Sequence, residues 1–458
     1  RMYLGPDGNV ANNSNHFGPL AIGVPGTVAG LYKAHQDLGT LPWQDLIAPA
    51  ITLAREGIPI TYSLQSGFAR NARRFSQYPS SVRKFFKEDG SLYELGDTWH
   101  QPDLAYTLEL IQENGHDGFY RGENAQRLAE FMSANGGLIT EEDLARYEAV
   151  EREPIRSTYR DYEIVSMPPP SSGGIALAEM LNILEGYDLS AMGHNSAQYL
   201  HVLTEAMRRA YADRAEHMGD SDFWDVPLDL LTSKEYANAR INDISLEIAT
   251  PSSAVFASGA PGYESRETTH YSVVDHWGNA VSVTTTINLS YGGGHLVKGA
   301  GFFLNNEMDD FSSKPGIPNA FGLVGNEANA IQPGKRPLSS MTPTIVLKDG
   351  KPFIVIGSPG GSTIITTAMQ VIMNVVIHGM DIKEAVTSPR FHSQWVPDVI
   401  MTEPRGLSRD VIQNLEARGH TLVPYKWGYI GEANGILITE DGFYGGGDSR
   451  GETSAIGY

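Results

Sequence analysis

Apolar residues recur at three- and four-residue spacing along 27–38, 43–56, 104–113 and 125–134, and each stretch is predicted to be an amphipathic helix. A longer helix is predicted from 196 to about 218, and TEEDL from Thr140 has a capping-box outline with Asp143 three residues after the threonine. Beyond residue 267 the period shortens to two. THYSVVD, NAVSVTTTIN and the hairpin PTIVLKDGKPFIVIG read as strands, with helices over 362–378 and 408–418 to cover them. Between the two regimes lies ATPSSAVFASGAPGYESRE (249–267), without sustained period and rich in Ser, Gly, Pro and Ala, as in an exposed connector that is easily cut. The chain thus divides into a mostly helical half, a connector, and a sheet-plus-helix half, without an internal repeat.

Two short stretches sharpen this outline. In SMPPPSSGG the prolines stop any helix and Ser171 or Ser172 can cap the next one, as a rigid turn into a core helix or as a cleft wall. In THYSVVDHWGNAVSVTTTIN, His276-Trp277-Gly278 fits a three-residue hairpin loop with a left-handed glycine. Pairing Asp275 with Asn279 then sets Val274 opposite Ala280, Ser272 opposite Ser282 and Thr268 opposite Thr286. Directly opposed residues lie roughly 5 Å apart at Cβ, within reach of a threonine-threonine hydrogen bond. Asn288 falls on the same face as Thr286. Strand propensity on a solvated face accounts for these threonines as well as chemistry does.

Composition narrows the chemistry. Acidic residues outnumber basic ones, 54 to 34, for a net charge of −20 over 458 residues, and no Lys/Arg cluster offers a footprint for nucleic acid. With no cysteine there is no thiol nucleophile, disulfide or thiolate ligand, and the 13 histidines include no HExxH pair. The apolar run 364–380 is broken by Thr366, Thr367, Gln370, Asn374 and His378, so it reads as a packed helix and not a membrane span. The front lacks an initiator methionine and a secretory pattern, and is expected to be truncated or processed.

A cut between Glu267 and Thr268 gives the connector a purpose. Thr268 then carries an α-amine of pKa about 7.7 to 8.0 beside its own hydroxyl, against about 10.4 for lysine, and such an amine is a usable general base near neutral pH. A threonine activated in this way needs neither metal, histidine nor cysteine.

TTHYSVVD, GNAVSVTTTIN, LNNEMDDFS (304–312), KRPLSSMTPTIV (335–346) and GSPGGS (357–362), with GVPGTVAG (23–30), NGGLIT (135–140) and MPPPSSGG upstream, resemble the gamma-glutamyltransferases over essentially the whole chain. These are autoprocessed N-terminal-nucleophile hydrolases. The resemblance implies an α+β fold, a four-layer αββα sandwich formed jointly by a large subunit (1–267) and a small subunit (268–458) cut from one precursor. It implies Thr268 as nucleophile, supported by Thr286, and Gly360 and Gly361 as the oxyanion hole. Asn288, Glu307 and Asp310 match positions that bind a glutamyl α-amine, where carboxylates and an amide oxygen suit an ammonium group. Ser339 and Ser340 match the α-carboxylate site, and Phe321 stands where lidded members often carry a tyrosine gate. The family's carboxylate-binding arginine precedes the first residue of this sequence; Arg1 does not match it, and Arg336 is a substitute suggested by its nearness to the serines.

The implied activity is transfer of the γ-glutamyl group of glutathione or a related compound to water, an amino acid or a dipeptide. No cofactor, nucleic-acid partner or membrane span is expected, and residence is expected in the periplasm or outside the cell. One rival is a glutaryl acylase of the same superfamily, whose donor lacks the amine that Glu307 and Asp310 would bind. The other is an uncut homologue that only binds ligand.

Overall fold

The computed structural model describes residues 2–255, 268–314 and 316–458, and the chain divides into two compact units. The smaller comprises Val10–Glu151 and Ile287–Met308. Helices Thr27–Leu38 and Trp43–Glu56 have the bounds their periodicity predicts, and the two shorter stretches extend to Pro102–Asn114 and Gly122–Asn135. Their apolar stripes meet around Trp43, Ile111, Tyr120, Leu128 and Met132, and the returning segment adds Val297 and Leu304. Trp43 Nε1 donates to the Ile111 carbonyl at 2.9 Å, which satisfies the indole nitrogen inside that core. The capping box forms as expected: Thr140 Oγ1 accepts from Asp143 N and Asp143 Oδ2 from Thr140 N.

The larger unit comprises Arg1–Asn9, Arg152–Thr286 and Asp309–Tyr458. In chain order its principal strands are β1 Ile155–Tyr159, β2 Tyr162–Ser166, β3 Thr269–Val274, β4 Ala280–Thr285, β5 Thr344–Lys348, β6 Lys351–Gly357, β7 Asn434–Thr439 and β8 Gly442–Gly447. Six form an antiparallel sheet in the order β8-β7-β6-β5-β2-β1, while β3 and β4 form a separate hairpin. β1 and β2 are strands that the helical periods of the first half do not announce. Their alternation is short, and they are stabilised by pairing with β5, nearly two hundred residues later.

The faces of the large sheet follow from three glycines. A Cβ added at Gly435 or at its cross-strand partner Gly446 would meet Ile382 of the Ile382–Thr387 helix. Gly357 lies one residue beyond Ile356, the partner of Gly435, so it faces the other way, and there a Cβ would lie 2.3 Å from the His270 ring. Helices therefore back one face and the hairpin covers the other, the helix-sheet-sheet order of the expected sandwich. The Gly173–Leu184 and Ile364–Val376 helices complete the backing and are buried almost throughout. Three of the polar residues that interrupt 364–380 are bonded inside it: Thr366 Oγ1 shares a 2.8 Å bond with His392 Nδ1, Gln370 exchanges bonds with the Phe391 backbone, and Asn374 Nδ2 donates to the Ala385 carbonyl. Among the described residues no helix is long and apolar enough to cross a membrane.

The front of the connector differs from expectation. Ser252 is buried; its Oγ accepts from Arg208 and its N–H donates to Asp398 at 2.7 Å, while Trp395 Nε1 donates to its carbonyl at 2.9 Å. Satisfying the buried Arg208 and the Trp395 indole pins a stretch whose composition reads as loose. Residues 256–267, including Glu267 of the expected scission bond, lie outside the described residues, as does Arg1.

Candidate active site

The hairpin has the register its turn predicts. Val274 faces Ala280, Ser272 faces Ser282 and Thr269 faces Thr285; Gly278 takes φ 89°, and Asp275 N donates to the Asn279 carbonyl at 3.1 Å. One step beyond the last pair, Thr268 Oγ1 donates to Thr286 Oγ1 at 3.3 Å. Alternation turns His270 and Ser282 inward and leaves Tyr271, Val273 and Val281 exposed. Ser282 Oγ donates to the Ile356 carbonyl at 3.0 Å and Ser272 Oγ to the Asn434 carbonyl at 3.3 Å, fixing the hairpin on the large sheet.

His270 is a spacer. Burial holds its imidazole at a pKa of about 4, and the neutral ring shares hydrogen bonds with Thr284 Oγ1 (2.8 Å) and Ser272 Oγ (3.1 Å). It occupies the space that Gly357 leaves open, which seats the start of β3 against the end of β6.

Past Gly357 the chain turns through Gly360, φ 139°, and Gly361, φ 56°, into a 3-10 turn and the Ile364–Val376 helix. A Cβ at Gly360 would stand 2.5 Å from Thr363 Oγ1, so glycine is required there on both conformational and steric grounds. Glycines at a helix entrance leave backbone N–H groups unobstructed, as a developing oxyanion needs. The Tyr211 hydroxyl donates to the Ser362 carbonyl and Glu432 N donates to Ser358 Oγ at 3.0 Å, holding the turn from both sides.

The serine pair rests on the PPPSSGG turn. Ser339 N donates to the Pro170 carbonyl at 2.8 Å, and its own carbonyl accepts from Ser172 N at 2.9 Å and Ser172 Oγ at 2.8 Å. Ser171 Oγ accepts from Gly173 N at 3.1 Å, whereas Ser172, the residue at the helix N-cap, makes no side-chain cap bond and gives its hydroxyl to Ser339 instead. The turn is thus both rigid lead-in and support for Ser339 and Ser340. The guanidinium that reaches this pair is Arg214, whose Nη2 donates to Ser340 Oγ at 3.3 Å. Arg336 donates from its backbone to Asp220, and its guanidinium leans toward Asp222 at 4.0 Å.

Asp310 Oδ1 accepts from Asn319 Nδ2 at 3.0 Å, and Asn319 Oδ1 in turn accepts from the N–H groups of Phe321 and Leu323. Phe321 is buried in the resulting tight turn. In the smaller unit Asn288, φ 71°, donates from Nδ2 to the Asn306 carbonyl at 2.9 Å, and Glu307 N donates to Asn305 Oδ1 at 3.0 Å, so these two expected ligands lie on neighbouring loop segments.

One histidine cluster has the atoms of a metal site: His201, Glu205 and His420 are buried together. Each is otherwise engaged, with His201 Nδ1 and His420 Nε2 sharing a 2.7 Å bond and Glu205 paired to Arg208 and Arg209, whose charges oppose a cation. Sequence reasoning passed over Tyr211 and Arg214. The available signal was the three-residue spacing of Tyr211 and Arg214, which puts both on one face of the Ala197–His217 helix.

Comparison with known proteins covers the same ground. A sequence family described as Gamma-glutamyltranspeptidase matches residues 1–458. A glutathione hydrolase proenzyme of Escherichia coli is 46% identical over 98% of this chain and 77% of its own length, and one from Pseudomonas sp. strain A14 is 44% identical over 100% and 81%. Among solved structures, a cephalosporin acylase from Bacillus halodurans superposes with a TM-score of 0.83 at 28% identity, over 97% of this chain and 80% of that one.

Proposed function

Because the chain belongs to the gamma-glutamyltranspeptidase family, we propose that it is an autoprocessed γ-glutamyltransferase cleaving the γ-glutamyl amide of glutathione and related compounds. Its precursor is cut between Glu267 and Thr268, and the large and small subunits stay paired. The observation that carries the reading is the 3.3 Å contact between the Thr268 and Thr286 hydroxyls at the open end of the hairpin. After the cut, the Thr268 α-amine takes the proton of its own hydroxyl as Oγ bonds to the γ-carbonyl carbon. Backbone N–H groups at Gly360 and Gly361 receive the oxyanion. The C–N bond then breaks, the leaving amine takes the proton, and a glutamyl ester of Thr268 remains. Attack by water or by an amino acid or dipeptide amine releases glutamate or the new γ-glutamyl amide and restores the hydroxyl.

Ser339 and Ser340 are assigned to the donor α-carboxylate, and Asp310, Asn288 and Glu307 each to its α-ammonium. Phe321 is assigned to a lid that keeps water from the ester. Residence in the periplasm or outside the cell belongs to the same proposal and rests on the family resemblance; cell fractionation tests it.

The likeness to an acylase gives a second reading, hydrolysis of glutaryl amides. Asp310 argues against it, since a glutaryl donor has no ammonium group for a carboxylate to bind. Denaturing electrophoresis with terminal sequencing, followed by turnover of γ-glutamyl and glutaryl anilides, tests both. We expect a small subunit beginning at Thr268 and preference for the γ-glutamyl compound. An uncut active chain overturns the nucleophile, and preference for glutaryl overturns the substrate.

A further inference from the structure

The Ala197–His217 helix carries three buried arginines, and they are treated differently. Arg208 is paired with Asp398 and Glu205, and Arg209 with Glu205. Arg214 is only 4% exposed, yet among the described residues no carboxylate lies within ion-pair distance of it, and Asp310 acts on it only from further away. Its contacts are two hydroxyls: Nε donates to Ser172 Oγ at 2.9 Å and Nη2 to Ser340 Oγ at 3.3 Å. A buried cation without an anion is costly, and the cost falls when an anion arrives beside it.

The direction of these hydrogen bonds matters. A guanidinium only donates, so each serine oxygen it contacts must accept and must send its own hydrogen elsewhere. Ser172 sends its hydrogen to the Ser339 carbonyl at 2.8 Å. Ser340 is half-buried, and with its oxygen occupied by Arg214 its hydrogen is left to be given outward. Ser339 Oγ likewise accepts, from Met341 N at 3.0 Å. Two hydroxyls thus stand as donors, with a buried positive charge behind one of them, an arrangement complementary to a carboxylate.

We propose that Arg214 is a positioning residue for the donor α-carboxylate: it fixes Ser340 as a hydrogen donor and supplies the buried charge that the carboxylate neutralises, without touching substrate itself. This rests on assigning Ser339 and Ser340 to the carboxylate. Burial lowers the Arg214 pKa to about 10, so the charge is present at neutral pH. The Ser172 contact also ties the arginine to the PPPSSGG turn, so its aim is set from two directions.

Three p-nitroanilides separate the terms: γ-glutamyl, with amine and carboxylate; glutaryl, with carboxylate alone; and 4-aminobutyryl, with amine alone. For Arg214→Met we expect kcat/KM to fall roughly 10- to 100-fold on the two carboxylate donors, mainly through KM, the scale of a hydrogen bond to a charged group. The 4-aminobutyryl compound should change by less than about 3-fold, and Arg214→Lys should recover part of the loss. Where turnover of the amine-only donor is too slow, competitive inhibition by L-glutamate, glutarate and 4-aminobutyrate gives the same comparison. If Arg214→Met fails to accumulate as cut protein, the lysine variant carries the test through its carboxylate-specific KM change. Equal loss on all donors, or none, overturns the inference. Ser340→Ala is measured alongside: carboxylate-specific loss there but not at Arg214 sinks this inference alone, and its absence at Ser340 sinks the serine-pair assignment as well.

Discussion

Thr268 and Thr286, 18 residues apart in sequence, bring their hydroxyls to 3.3 Å at the open end of a hairpin whose register places them opposite one another. The contact is a neutral hydrogen bond worth about 1 kcal/mol. Thr286→Ala is therefore expected to slow precursor cutting and to lower kcat about 3- to 10-fold, with Thr286→Ser close to wild type. A time course of subunit appearance by electrophoresis and steady-state kinetics would check this.

Gly360 combines φ 139° with a Cβ position 2.5 Å from Thr363 Oγ1. Gly360→Ala should disturb the assigned oxyanion donors and lower kcat roughly 100-fold, with a smaller effect on KM. An alanine variant with unchanged kcat would remove Gly360 from the oxyanion hole.

Gly357 and His270 meet where the hairpin seats on the large sheet. The methyl of Gly357→Ala would intrude on the imidazole, at 2.3 Å, and overpacking of this kind costs about 1 to 3 kcal/mol. Chemical denaturation should show the lower midpoint, and pairing the change with His270→Ala should restore part of it by vacating the space.

Acid should weaken the fold before it titrates most carboxylates. Burial holds His270 and His392 at pKa values of about 4, whereas imidazoles in an unfolded chain protonate near about 6.5. Between those values the unfolded chain binds more protons, so stability is full above roughly pH 6.5 and declines as pH falls toward 4. Guanidinium midpoints measured at pH 7.5, 6 and 5 should fall in that order; a level series would mean that these rings are charged in the fold.

The sequence carried local features well. Helix bounds at Thr27–Leu38 and Trp43–Glu56 follow from amphipathic periods, and the hairpin register follows from the turn at Gly278. Features set by distant partners were hidden. β1 and β2 mix Arg156, Thr158 and Glu163 with their apolar residues, and only β5 gives the alternation its meaning. Arg214 sits in RRAYADR, which reads as a solvated charged face until Ser172 and Ser340 are seen to close around it. Ser252 belongs to a composition typical of loose chain, yet Asp398 and Trp395 bury it.

The ladder between β2 and β5 joins residue pairs Tyr162 with Lys348 through Ser166 with Thr344. Those strands come from opposite sides of the proposed cut, so severing the backbone leaves a seam running through the middle of the sheet rather than along its rim. Prising the fragments apart would mean unzipping that seam and wetting the core behind it. Fragments made separately would have to rebuild it by collision, which makes a single continuous precursor the easier route to a working particle.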